Sequence, residues 1–336
     1  MTPEDATRHI ALIRELSRPG GPVTKDAPTA SINNPDWRID GELTPQRRRL
    51  FEQLLEDTAA RYPDALSEKR ALVLAGPPGA GKGSVADRVL GAAKSSFVNV
   101  DADEFKAALL RQAIADGSYE SWIKPPAVRE LEAAGERFFP MEMAALVHEE
   151  SAELAAAQRV RMMGLGKNLI ADTVLGSESS AVELGTQLQR AGYSVHVVDV
   201  EVPFEVSEER IVQRWAEAIA SAEAGQDPLG GRWVPSAYAR PLFDTEHGRA
   251  RSQDAAALLA QNPAVDRYER HFTSLEEHRA ALDSGRRATP TKELDQARLN
   301  RGGPLVDAAY TRRATPSAQR LPGSRNDRGR GGAELT

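Results

Sequence analysis

The chain of 336 residues contains no cysteine at all. A disulfide framework, a thiol nucleophile and any zinc site built on thiolates are therefore excluded. Aromatics are scarce at 5%, and no apolar run approaches the length needed to span a bilayer. The first 20 residues carry Glu4, Asp5, Arg8, Arg14, Glu15 and Arg18 instead of the apolar stretch of a secretory signal. The expectation is a cytoplasmic protein with no membrane partner.

Apolar residues make up 40% of the chain, enough for one sizeable core with some sequence left outside it. Charge is uneven. Lys and Arg number 43 against 49 Asp and Glu, a net of −6, yet residues 285–336 hold 11 basic and 5 acidic side chains. That stretch is rich in Gly, Pro, Ser and Arg, as in Arg328-Gly329-Arg330-Gly331-Gly332, and reads as a basic disordered tail. A nucleic-acid role for it is not expected. Residues 1–43 read as a partly disordered extension with one short helix over 3–17, ended by Pro19-Gly20-Gly21-Pro22. Thr44 then suits a helix N-cap, with Pro45 at the first helical position. The main domain is placed at 44–284.

Within it, short apolar runs alternate with helical stretches. Ala71–Ala75, Phe97–Val100, Leu169–Ala171 and Val195–Val200 read as strands, and Val265–Arg270 as a weaker fifth. Helices are expected at about 82–93, 103–115, 178–191, 207–223 and 250–261. The first four strands are near-continuously apolar, as when helices cover both faces of a parallel sheet.

The strongest chemical signal joins the first strand to the first helix. Gly76-Pro77-Pro78-Gly79-Ala80-Gly81-Lys82-Gly83-Ser84 matches the Walker A pattern in its proper strand–loop–helix setting. Glycines let successive N–H groups converge on phosphate oxygens, the helix N-terminus adds its dipole, and Lys82 reaches the β and γ oxygens. Gly83 stands where a metal-ligating hydroxyl usually sits, and Ser84 follows one residue later. A bland glycine-rich turn would not need this combination. The second strand ends in Asp101-Ala102-Asp103-Glu104-Phe105-Lys106, beyond the carboxyl edge of the sheet where ligands bind. Asp103 there is either a base for a substrate hydroxyl or a helix cap, and the pattern alone leaves both open.

The loop, the Asp-x-Asp-x-Phe-Lys strand end 21 residues beyond Lys82, His148-Glu149-Glu150-Ser151, and Gly166-Lys-Asn168 running to Asp172-Thr173 together resemble the zeta-toxin family. The resemblance spans about Ala71 to Arg270. It implies a P-loop kinase fold that uses ATP and Mg2+ to phosphorylate the amino sugar of UDP-N-acetylglucosamine, and a protein antitoxin as partner. It further implies Asp103 as catalytic base, Lys82 as the Walker lysine, and Arg214 and Arg232 as the arginines on the γ-phosphate. Glu150, Asp172 and Thr173 would face the substrate, with Ser84 and Asp101 near the metal. Segment 116–147 departs from the family and falls where an acceptor would be recognised. His148 has no histidine at i+4 and reads as a packing residue. Two other readings stand beside this one: a different small-molecule or nucleotide kinase on the same fold, and a nucleotide-binding interaction protein without catalysis.

Overall fold

Strand β3 (Arg70–Ala75) lies at the centre of the sheet, with every residue after Arg70 buried. The computed structural model describes residues 3–310. Before this strand come α1 (Pro3–Leu16), the ribbon β1 (Arg38–Ile39) and β2 (Glu42–Leu43), and α2 (Pro45–Ala60). After it come α3 (Lys82–Leu90), β4 (Val98–Val100), α4 (Ala102–Asp116), α5 (Pro126–Ala133), α6 (His148–Gly164), β5 (Leu169–Asp172) and α7 (Glu178–Arg190). The chain continues through β6 (Ser194–Glu201), α8 (Phe204–Glu223), the short α9 (Ser236–Ala239), α10 (Ser252–Ala260) and β7 (Val265–Phe272). The last elements among the described residues are α11 (Leu275–Asp283), β8 (Thr291–Arg298) and β9 (Leu305–Asp307).

The seven-stranded sheet has the order β4-β5-β3-β6-β7-β8-β9. Its first five strands are parallel, and β8 and β9 add antiparallel. Alternate residues of β3 explain the two covering layers. Val73 packs with Ala171 and Val197 under Ala181, Leu184 and Leu188 of α7 and Leu259 of α10. Leu72 and Leu74 face the other way, with Ile170 and Val198, onto Val85 of α3. A third core joins α1, α2, α4, α6 and α8 through Ile13, Leu54, Leu109, Leu154 and Trp215. Among the described residues no helix is long and apolar enough to cross a membrane.

The expected strands and helices of the central domain are all present, and Thr44 caps α2 by accepting from the Arg47 N–H. Both expected domain limits are corrected. Residues 17–43 are ordered, because Val23, Ala27 and Ala30 are buried in the third core. The sheet also continues past residue 285. β8 pairs with β7 from Arg267↔Ala297 to Phe272↔Thr291. It is secured by polar contacts that leave no apolar signature: Arg267 with Asp295 at 2.9 Å, Lys292 with Glu269 at 2.8 Å, and Arg249 with Glu293 at 2.6 Å. The rest of the expected tail, from residue 311 on, lies outside the described residues. Segment 116–147 anchors in the core through Ile123, Val128, Phe138, Phe139 and Met143, and of its residues Ala144 and Ala145 line the site.

Candidate functional site

The phosphate loop leaves β3 through two glycines that no other residue could replace without movement. Gly76 has φ +145°, and a Cβ there would sit 2.2 Å from the Val200 carbonyl oxygen. Gly79 has φ +74°, with the Ser207 carbonyl oxygen 2.7 Å from the Cβ position. Helix α8 braces the loop from below. Ser207 Oγ donates to the Pro78 carbonyl at 2.7 Å, and the Arg210 guanidinium donates to the carbonyls of Gly79 at 3.2 Å and Ala80 at 3.0 Å. Turning these carbonyls toward α8 leaves the N–H side of the loop for an anion. Lys82 Nζ donates to the Gly76 carbonyl at 2.9 Å and stands 3.6 Å from Asp172 Oδ1.

Asp101, at the end of β4, caps α4: its Oδ1 accepts from the Asp103 N–H at 2.8 Å. Asp103 is therefore not the cap of this helix. Asp103 Oδ1 instead accepts from Lys106 Nζ at 3.0 Å and from Arg232 in a short ion pair. Burial would raise the Asp103 carboxyl, but Arg232 and Lys106 outweigh it and bring it down to about 2. Asp101 moves the other way. Burial, with the charges of Asp103 and Asp172, pushes it up to about 6.

Two cavities meet at these residues. One, of about 360 Å³, runs along the phosphate loop from Pro78 to Ser84 and is bounded by Arg210, Arg214 and Arg287. The other, of about 490 Å³, is walled by residues of the N-terminal segment, by Ala144, Ala145 and His148, and by Trp233, Val234 and Tyr238. Lys82, Asp101, Asp103, Asp172 and Arg232 line both. A donor phosphate in the first and an acceptor group in the second would meet at Asp103 and Arg232.

Most expected site residues converge here. Gly79, Ala80, Gly81, Gly83 and Ser84 line the loop cavity, and Thr173 lines the larger one. Arg214 belongs to the loop cavity and leaves Glu217 to Gln213 and Arg287. Glu150 is the correction. It is fully buried, with Arg47 donating to both its oxygens, through Nε at 2.9 Å and through a shorter Nη2 contact, so its carboxylate is spent holding α2 to α6. His148 corrects the packing reading. It lines the larger cavity, where burial and the Lys106 charge lower it to about 4 and leave it neutral near pH 7. Arg287 and the N-terminal wall were missed outright, because neither lies in a motif.

The arrangement is that of a P-loop kinase-like fold. Residues 52–120 and 125–256, more than half of the chain, match the zeta toxin family. The protein belongs to that family. A crystal structure of the AvrRxo1-ORF1:AvrRxo1-ORF2 complex with sulphate ions is similar at 21% identity, over 84% of this chain and 76% of that one, with a TM-score of 0.52. A structure of the PezAT chromosomal toxin–antitoxin system of Streptococcus pneumoniae is similar at 14% identity, over 69% of this chain and 79% of that one, with a TM-score of 0.46. No curated protein matches the chain.

Proposed function

We propose that the protein transfers the γ-phosphate of ATP to a sugar hydroxyl of UDP-N-acetylglucosamine or a related UDP-sugar. The observation that supports this reading is that two cavities share Lys82, Asp101, Asp103, Asp172 and Arg232 in their lining. ATP lies along the loop, with its β and γ oxygens on the loop N–H groups and on Lys82, which leaves the Gly76 carbonyl to reach them. The acceptor hydroxyl enters from the larger cavity. Its oxygen forms a bond to the γ-phosphorus as the bond from that phosphorus to the ADP oxygen breaks, and its proton passes to Asp103. Lys106 keeps Asp103 ionised and oriented. Arg232 exchanges Asp103 for the γ-phosphate, and with Arg214 it offsets the charge that spreads over the transferring group.

Oxygen donors suited to Mg2+ border the same space: the Ser84 hydroxyl and the Asp101 carboxylate. Among the described residues no three acidic or histidine side chains gather as a metal centre, which fits a cation held largely by phosphate oxygens and water. Bound there, Mg2+ would neutralise donor phosphate charge and relieve the repulsion that raises Asp101. Family membership supports a toxin held in check by a protein antitoxin. The test is incubation with ATP, Mg2+ and a panel of UDP-sugars and nucleotides, read by mass spectrometry. UDP-N-acetylglucosamine is expected to gain one phosphate on its sugar. Phosphorylation of a free nucleotide alone would assign a different acceptor class, and no phosphorylated product would leave a nucleotide-binding protein without catalysis.

A further inference from the structure

We propose that the N-terminal segment Ser17–Lys25 is the acceptor-selecting wall of the site, and that Lys25 binds a phosphate group of the acceptor. This inference rests on the kinase reading above and adds the residues that choose its second substrate. The segment precedes the family-matched region, which begins at residue 52, yet Ser17, Pro19, Val23, Thr24 and Lys25 all line the larger cavity. The loop and the base are thus family features, whereas one side of the acceptor cavity belongs to sequence outside the family match.

The wall is held firmly. The Val23 N–H donates to the Leu16 carbonyl at 2.9 Å, closing a tight loop after α1. Gly21 makes that closure feasible, because a Cβ there would lie 2.4 Å from the same carbonyl oxygen. Ala27 and Ala30 are buried behind it. Ser17 Oγ donates to the Ile13 carbonyl at 2.6 Å and accepts from the Trp233 indole at 3.2 Å. Trp233 adjoins Arg232 in sequence and packs edge-on against Trp215, so the segment contacts the loop that carries the arginine on Asp103.

The lining of the cavity combines three kinds of chemistry. Asp103 with Arg232 and Lys106 is where the proposed hydroxyl reacts. Val23, Val234, Trp233 and Tyr238 supply an apolar and aromatic lining suited to a ring. At the segment's far end stands Lys25. Its Nζ donates to Glu149 at 2.7 Å in a pair whose side chains are 59% and 35% exposed. Asp26, Tyr238 and His148 are its other charged or titratable neighbours. An exposed pair of this kind contributes little net stability, so exchanging Glu149 for a phosphate costs little. Lys106 and Arg232 are engaged with Asp103 and Lys82 with the loop, which leaves Lys25 as the lysine available to an anionic acceptor.

The test separates an anion-binding lysine from a mere anchor of the segment. In the full-length protein with ATP and Mg2+, Lys25→Gln should raise the KM for UDP-N-acetylglucosamine about twofold to fivefold, the loss of one partly screened charge contact, with the KM for ATP unchanged. Glu149→Gln removes the same ion pair but frees the lysine, so that KM should stay the same or fall. Equal increases in both variants, or no change in Lys25→Gln, would overturn the proposal. Binding of UDP, followed by tryptophan fluorescence, gives a readout without turnover. UDP should bind the wild type and bind Lys25→Gln more weakly by a similar factor. Absence of UDP binding, or equal binding by both proteins, would overturn it too. If the wild type binds UDP in this Lys25-dependent way but transfers no phosphate, the kinase reading fails and the binding site stands.

Discussion

Replacing Asp103 by Asn tests the proposed base with little change in shape. The cap of α4 belongs to Asp101, so the substitution leaves the helix start intact. What it removes is a negative charge held between Lys106 at 3.0 Å and Arg232. Asn keeps an acceptor oxygen, so part of each hydrogen bond survives. With charged hydrogen bonds contributing about 1.5–3 kcal/mol each, a net stability loss of about 1–2 kcal/mol is expected. In a domain of this size that corresponds to a fall in Tm of roughly 2–8 °C. Transfer should fall much further, by about 10²–10⁴-fold, because general-base contributions are of that size. The assay is phosphoryl transfer well below the variant's Tm, beside a thermal melt and an ATP-binding measurement. ATP should still bind. Transfer within about threefold of wild type, a small fraction of the general-base contribution, would refute the assignment and move the search for a base to Asp172 or Asp101.

Three further outcomes follow from the geometry. Asp101→Asn should keep the cap, since Asn caps as well as Asp, and should raise stability near pH 7 by about 1–2 kcal/mol by removing a buried charge and its repulsion from Asp103 and Asp172. The sign follows from the raised carboxyl: its favourable neutral form is fully present below its unfolded value of 3.8 and lost as pH rises through about 6, so melts from pH 4 to 8 should show the variant gaining on wild type up to just above pH 6 and level beyond it, and a gap that does not vary with pH would contradict it. Glu150→Gln should cost about 3 kcal/mol by stranding the buried Arg47 guanidinium, seen as a lower denaturation midpoint, with the KM for UDP-sugar unchanged. Truncation after Ser284 should destabilise by about 3–6 kcal/mol, because it strips six paired residues from β7 and leaves Glu269 without Lys292; an unchanged Tm would contradict that role for β8.

The central sheet was legible because four of its five parallel strands are largely apolar runs followed by a helical period, β7 being the weaker fifth, and the phosphate loop because its glycines and lysine must sit between strand and helix. Strand β8 was not. Thr291-Lys-Glu-Leu-Asp-Gln-Ala-Arg298 has two apolar residues in eight, and its order comes from ion pairs to residues far back in the chain. The segment after α1 looked like a loop for a similar reason. Pro and Gly mark turns in it correctly, but the burial of Val23, Ala27 and Ala30 depends on helices formed much later. Glu150 misled because its partner Arg47 is 103 residues away, so nothing local shows that its carboxylate is already neutralised. Asp103 was the cap candidate in the sequence, and the backbone geometry gives that place to Asp101 instead.

Transfer of label from γ-labelled ATP, compared between wild type and Lys82→Ala, tests the kinase reading most directly. Lys82 is only partly buried and donates to the Gly76 carbonyl, so its removal should leave the fold and Tm nearly unchanged. The account predicts that, with Mg2+ and UDP-N-acetylglucosamine present, label moves from ATP to the sugar in the wild type and stays on ATP in Lys82→Ala. Label released only as inorganic phosphate, or transfer that survives in Lys82→Ala, would contradict it.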